Sequence, residues 1–224
     1  MKTTEVLSKI LEGVPQKLVI RKKDDKQTFE ALEFVNKARD RYAECNGVAN
    51  LAYIQISKGH LRATDGHRLH FTLIQGIPDG LYSITKKNST FTLELVKEEK
   101  YPDIDTFLKT SKFPNKVMVD RKDFLRCAKQ AKIMTSTTYH GIELCFNGQL
   151  QIKAVNPDLG DMETQTEIDK PISPEVKVGI NCSYLITALQ KLKSKQISVK
   201  VWDHQSPMMF SDGTKNALIM PMRL

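Results

Sequence analysis

Long apolar runs are missing from this chain of 224 residues. None approaches the roughly 18 residues that a membrane-spanning helix requires, so no membrane span is expected. Cysteine is scarce: Cys45, Cys127, Cys145 and Cys182 stand singly, without a CxxC pair. Zinc-ribbon and redox-motif chemistry lack their ligands, and reduced, buried thiols of a cytosolic protein are expected instead. Aromatic residues make up 7% of the chain and do not interleave with basic ones as a base-stacking platform would. There is no glycine-rich phosphate loop, no nucleophile elbow and no HExxH. His60, His67 and His70 come nearest to a metal set. His67 and His70, however, are three apart on a strand-like stretch and point to opposite faces. No cysteine or carboxylate cluster completes them. Asp65, Asp79 and Asp103, in "TDG", "PDG" and "PDI", read as turn formers. Catalysis, a cofactor and a metal are therefore not expected.

Acid is also in short supply. Lys and Arg number 34 against 26 Asp and Glu, a net charge of +8 that invites an acidic partner, nucleic acid first among them. The opening "MKTTEVLSKILEGV" carries Glu5 and Glu12 and does not read as a secretory leader. A cytoplasmic location is the expectation. With 40% hydrophobic and 27% charged residues, the chain has the balance of a soluble globular protein and length for one large domain or two ordinary ones.

What is present is a repeat. "KLVIRKKDDKQTFEALEFVNKARDRYAE" followed by "LAYIQISKGHLRATDG" shares a plan with "KVMVDRKDFLRCAKQAKIM" followed by "GIELCFNGQLQIKAVNP". Each opens on a short alternating strand (Leu18 and Ile20; Val117 and Val119). An amphipathic helix follows, with Phe29, Leu32, Val35, Ala38 and Tyr42 in the first and Phe124, Leu125, Ala128 and Ala131 in the second. Strands close each unit, the second around a hairpin at Asn147-Gly148. A third copy begins at "EVKVGINCSYLITALQKL", where Asn181 or Ser183 can cap a helix with Tyr184, Leu185, Ala188, Leu189 and Leu192 on its apolar face. Between Gly76 and Thr110 only the strand-like "GLYSIT" and "TFTLEL" appear, without an amphipathic helix. Three and a half strand–helix–strand–strand units pair into two domains, residues 1–113 and 114–224, with a boundary near Lys112 to Lys116.

"ATDGHRLHF" (Ala63 to Phe71), "YPDI" (Tyr101 to Ile104) and the terminal "MPMRL" occur in this order, with "IKAVNPD" and "INCSYLITALQKL" between the last two. The set resembles the bacterial sliding clamp family, the beta subunit of the replicative DNA polymerase, over roughly Leu18 to Leu224. The resemblance implies an α+β DNA clamp fold, with sheets outside and helices lining a ring. Bacterial members have three domains; this chain has space for the last two, the first lacking one helix. A phage-encoded or mobile-element clamp would account for so short a chain.

The resemblance also implies a groove in which polymerase and clamp loader insert a linear peptide, typically a Gln followed by Leu and a terminal Leu-Phe pair. Carried over residue by residue, the matching positions are Thr64, Gly66, His67, Arg68, Leu69, Pro102, Leu218, Met220, Pro221, Met222, Arg223 and Leu224. Many family members have Arg-Val after "PDY"; here Thr106-Phe107 stands there, so Phe107 gives the groove a hydrophobic edge. Methionines suit a pocket that must reshape around varied anchors.

Lys122, Arg126, Lys129 and Lys132 recur at spacings of four, three and three, which puts four cations on one helix face. Lys191 and Lys193 (with Lys195) follow on the third helix, and Lys37, Arg39 and Arg41 on the first, among acidic neighbours. The ring implied by resemblance would aim these at duplex DNA, contacting phosphates without sequence preference. Six similar domains close such a ring, so a two-domain chain is expected to assemble as a homotrimer. The alternative is a monomeric clamp-like module that keeps the groove and competes for clamp partners.

Overall fold

Alternating apolar and polar residues build short antiparallel strands, and capped amphipathic helices cover them. The computed structural model describes residues 16–40, 49–97, 99–136 and 140–223. Tyr42, Arg41, Cys45 and Leu224 lie outside the described residues. Two units divide the chain, one of residues 1–65 and 72–101, the other of residues 66–71 and 102–224. The division falls at Tyr101 and Pro102 rather than near Lys112 to Lys116, because the intervening segment forms a helix that belongs to the second unit.

In the first unit, β1 (Lys17–Arg21), β2 (Ile54–Ser57), β3 (His60–Thr64), β5 (Gly80–Lys87) and β6 (Thr90–Val96) stand in the order β1-β6-β5-β2-β3. Strand β4 (Arg68–Leu73) begins in the second unit's segment and ends in the first. Lys58 and Gly59, both at positive φ (51° and 71°), make the two-residue turn between β2 and β3. Helix α1 (Lys26–Val35) starts at Asp25, whose carboxylate accepts the Thr28 N–H at 2.9 Å. Thr28 holds that carboxyl below the usual range. Phe29, Leu32, Phe34 and Val35 are buried, and Phe29 meets Phe91 with ring centroids 4.8 Å apart. The helix stops short of the periodicity that ran on to Tyr42. Lys37 and Ala38 bond three residues back, to Phe34 and Val35, so the chain tightens and turns away, with Ala38 still buried.

The second unit holds α2 (Ile104–Thr110), β7 (Asn115–Asp120), α3 (Arg121–Met134), β8 (Gly141–Phe146), β9 (Leu150–Asn156), β10 (Gly160–Thr166), β11 (Val176–Asn181), α4 (Cys182–Lys191), β12 (Gln196–Val201), β13 (Met208–Ser211) and β14 (Lys215–Ile219). Two sheets result: β10-β9-β8-β11, and β14-β13-β12-β7 with the start of β4 beside β14. The second and third copies of the repeat are here, as β7-α3-β8-β9 and β11-α4-β12-β13, and β10 is an addition. So is α2, which corrects the expectation of strands alone between Gly76 and Thr110. It buries only Ile104 and is nucleated by Asp103, which accepts from the Thr106 N–H at 3.0 Å and hydroxyl at 2.6 Å. A hydrophobic period could not announce it.

Helix α3 packs on β9, β10 and α4. Its buried side is Phe124, Cys127, Ala128 and Ala131; that of α4 is Cys182, Leu185, Ala188 and Leu189. Small residues let the two approach, and the Cys182 thiol donates to the Ala128 carbonyl at 3.2 Å. Burial pushes that thiol up to about 11. Asp120 caps α3 through the N–H groups of Lys122 and Asp123, and Asn181 caps α4 through those of Ser183 and Tyr184. Each cap contributes about 1 kcal/mol. Arg121 closes the other end of α4, donating to Leu189 O at 3.2 Å and Ser194 O at 3.0 Å.

Candidate functional site

The tail and the bend before β4 meet within the second unit. Gly66 sits at φ +85° with open space around it, so the bend demands glycine for its conformation rather than for room. Met220 N–H donates to His67 O at 2.9 Å, and Met222 N–H donates to Gly179 O of β11 at 2.8 Å. The tail is thus stitched at alternate residues to two segments. The side chains of Met220, Pro221 and Met222 remain half-buried and Arg223 is exposed. Leu69 and Leu218 are buried at 3% and 1%, so they back this wall rather than line it. The Arg68 guanidinium lies over the Tyr184 ring, 4.2 Å from its centroid. The helical period puts Tyr184 on the apolar face of its helix. Half-buried in the first turn of α4, it instead carries Arg68, and its polar tip was the only sequence signal of this.

Other expected positions are less intimate. Pro102 is exposed, and Phe107 is half-buried on α2. Thr106 is occupied in capping that helix, which leaves Phe107 as the residue of the pair free to form an edge. Thr64 belongs to the first unit and is buried; its N–H donates to the Tyr101 hydroxyl at 3.2 Å, a bond that ties "ATDG" to "YPDI". Burial pushes the Tyr101 phenol up.

On α3, Lys122, Arg126 and Lys129 are exposed and, with Leu125, Gln130 and Ile133, line a shallow depression. Ile133, one turn beyond Lys129 at the end of this row, is 73% exposed. Arg126 reaches Asp123 at 3.7 Å and Gln130 at 3.3 Å, contacts between exposed groups that restrain it little. Lys132 departs from the expected stripe. Its ammonium donates to the Ser183 hydroxyl and lies 3.1 Å from His140 Nδ1, so it staples α3 to the start of α4. Arg39 likewise turns inward, donating to Ala52 O at 2.8 Å, while Lys37 is exposed. Helix α4 ends at Lys191, which is half-buried; Lys193 and Lys195 lie in the loop beyond it and are exposed. Asp212 holds that loop by accepting the Lys193 N–H at 2.9 Å. Among the described residues, no three of His, Cys, Asp and Glu gather as a metal site, and no helix is long and apolar enough to cross a membrane.

A family model described as DNA polymerase III beta subunit, C-terminal domain, matches residues 110–223. The beta sliding clamp of Pseudomonas putida is 28% identical over 240 aligned residues, covering 89% of this chain and 63% of that protein. The chain thus spans somewhat under two thirds of the length of this curated relative. Among solved structures, the DNA polymerase III subunit beta of Pseudomonas aeruginosa matches with a TM-score of 0.74 at 20% identity, over 94% of this chain and 67% of that one. The beta subunit of Thermotoga maritima matches with a TM-score of 0.73 at 17% identity, over 94% and 66%. At these identities the likeness carries the fold.

Proposed function

The chain belongs to the DNA polymerase III beta subunit family, and we propose that it is a sliding clamp without chemistry of its own, a processivity factor that encircles duplex DNA. It tethers DNA polymerase and clamp loader through the groove built on residues 66–69 and 220–223. The observation that carries this reading is the tail itself. Its backbone is fixed by His67 and Gly179, while its methionines stay half-buried, and Arg68, next to His67, lies over the Tyr184 ring. A fixed backbone lowers the ordering cost of binding, and unbranched thioethers adapt to different aliphatic and aromatic anchors. Phe107, half-buried on α2, adds a hydrophobic edge to the groove. Lys122, Arg126 and Lys129 face DNA phosphates, so contact is indifferent to sequence and sensitive to salt. Three copies, with two clamp domains each, close the ring, and the protein acts in the cytoplasm, where the DNA is.

A fluorescence titration with a labelled Gln-Leu-x-Leu-Phe peptide tests the groove. The intact chain binds it. Removal of residues 220–224 severely weakens binding while the fold survives, and undiminished affinity after that removal contradicts the assignment.

A further inference from the structure

The register of the second unit's β14-β13-β12-β7 sheet lines up one row across four strands. Leu218 stands opposite Met209, Met209 opposite Lys200, and Lys200 opposite Lys116. The row beside it, Ala217, Phe210, Val199 and Val117, is buried toward the helices, where Phe210 meets Phe124 of α3. Side chains alternate across a sheet, so Leu218 to Lys116 lie on its other face. The row begins at the groove, since Leu218 backs its wall and Met220 follows two residues later.

It ends on charge. Lys200 is half-buried and Lys116 exposed, and two cations directly opposite each other repel. A third ammonium, that of Lys112, lies 5.4 Å from the centroid of the Trp202 ring, two residues beyond Lys200. Trp202 is the chain's one tryptophan and is 40% exposed. Among the described residues, none of these three lysines makes an ion pair. Acids beside them are spent on backbone. Asp203 accepts from the N–H groups of Gln205 and Ser206 at 2.9 and 2.7 Å, and Asp169 from that of Met118 at 2.7 Å. Cations held together without a counter-charge, next to an exposed indole, fit an acidic chain that also carries an apolar residue.

We infer that the partner peptides of the groove continue into an acidic flank, which Lys116, Lys200, Lys112 and Trp202 receive. This rests on the reading of residues 66–69 and 220–223 as a peptide groove. Neighbouring strands stand about 4.8 Å apart, so Lys200 and Lys116 lie roughly 10 and 14 Å from Leu218, the reach of about three or four extended residues. Such a flank selects among partners that share one core sequence. Single-stranded nucleic acid also suits cations beside an aromatic ring, but continuity of the row with the groove favours peptide.

Fluorescence titrations of the full chain test it, with the Gln-Leu-x-Leu-Phe peptide and two longer forms that carry Glu-Glu-Leu-Glu before or after that core. One of the longer forms is expected to bind about three- to tenfold tighter than the core, and the gain disappears at about 1 M salt. Unlabelled, that form changes the emission of Trp202, whereas the core peptide leaves it unchanged. In the double variant Lys116→Glu with Lys200→Glu, the core binds as in the wild type, which certifies folding. There the acidic gain is lost, and a Lys-Lys-Leu-Lys flank becomes the tighter form. If the core binds and neither acidic form binds tighter, or if the variant keeps the gain, the flank site is overturned while the groove stands. If oligothymidylate changes Trp202 emission and neither acidic form does, the patch belongs to single-stranded nucleic acid and the inference is overturned. A core peptide that does not bind at all overturns groove and flank together.

Discussion

In the tail, backbone bonds set the path and the side chains are left half-buried or exposed. Met220 and Met222 are tied through their N–H groups, and their thioethers remain half-buried. On α3 the helix ladder sets the backbone, and the fate of each cation depends on what stands within reach of its tip. Lys122, Arg126 and Lys129 reach solvent, whereas Lys132, equally in phase, finds Ser183 and His140. A motif that encodes backbone path keeps its meaning wherever it occurs. A periodicity of charge counts residues without knowing their neighbours.

The largest expected effect is in the tail. Deleting Met220 to Leu224 removes two methionine contacts worth about 2 to 4 kcal/mol together, an affinity loss of roughly 30- to 700-fold in the peptide titration. Thermal melting checks that the remainder stays folded. Next comes the basic face. Changing Lys122, Arg126 and Lys129 to Glu weakens DNA retention and makes the slope of log K against log salt shallower by about 3. Strong preference for one duplex sequence would contradict phosphate contact.

Lys132 sharpens the contrast, because Lys132→Met leaves that salt slope unchanged. It costs stability instead, about 1 to 2 kcal/mol by denaturant melting, through loss of a charge-assisted bond to Ser183. A smaller effect is expected at the groove edge. Arg68→Ala loses a partly exposed cation–π contact of about 0.5 to 1 kcal/mol, a two- to fivefold weaker peptide.

The smallest effect is one of pH. Burial by itself would raise the Asp212 carboxyl, but the N–H groups of Lys215, Lys193 and Thr214 outweigh it and hold it below its ordinary value. Its contribution is complete above an ordinary value of about 4 and is lost as pH falls through the lower folded value. Asp212→Asn is then less stable than wild type at pH 7, by under about 1 kcal/mol, and the gap closes in acid. Denaturant melts at both pH values check this.

The sequence showed the helices of the second unit clearly, because Phe124, Ala128 and Ala131, and then Leu185, Ala188 and Leu189, keep the helical period and follow good caps. It overran α1, since Ala38 is in phase and buried although the helix has ended. It missed α2, a short helix held by one Asp-Thr cap, and β10, whose polar alternation has no apolar face to mark it. At the candidate site, the hook of His67 to Met220 was legible in two motifs far apart in the chain. The inward turns of Lys132 and Arg39 were not, since Ser183 and Ala52 become their neighbours only on folding.

The central claim is that this chain encloses DNA, and retention on closed circular duplex tests it most directly. Protein loaded on a nicked or closed circle is expected to persist through a high-salt wash and to leave when the circle is cut by a restriction enzyme, since linking rather than affinity holds it. Equal loss from circular and linear DNA under the same wash would contradict the claim.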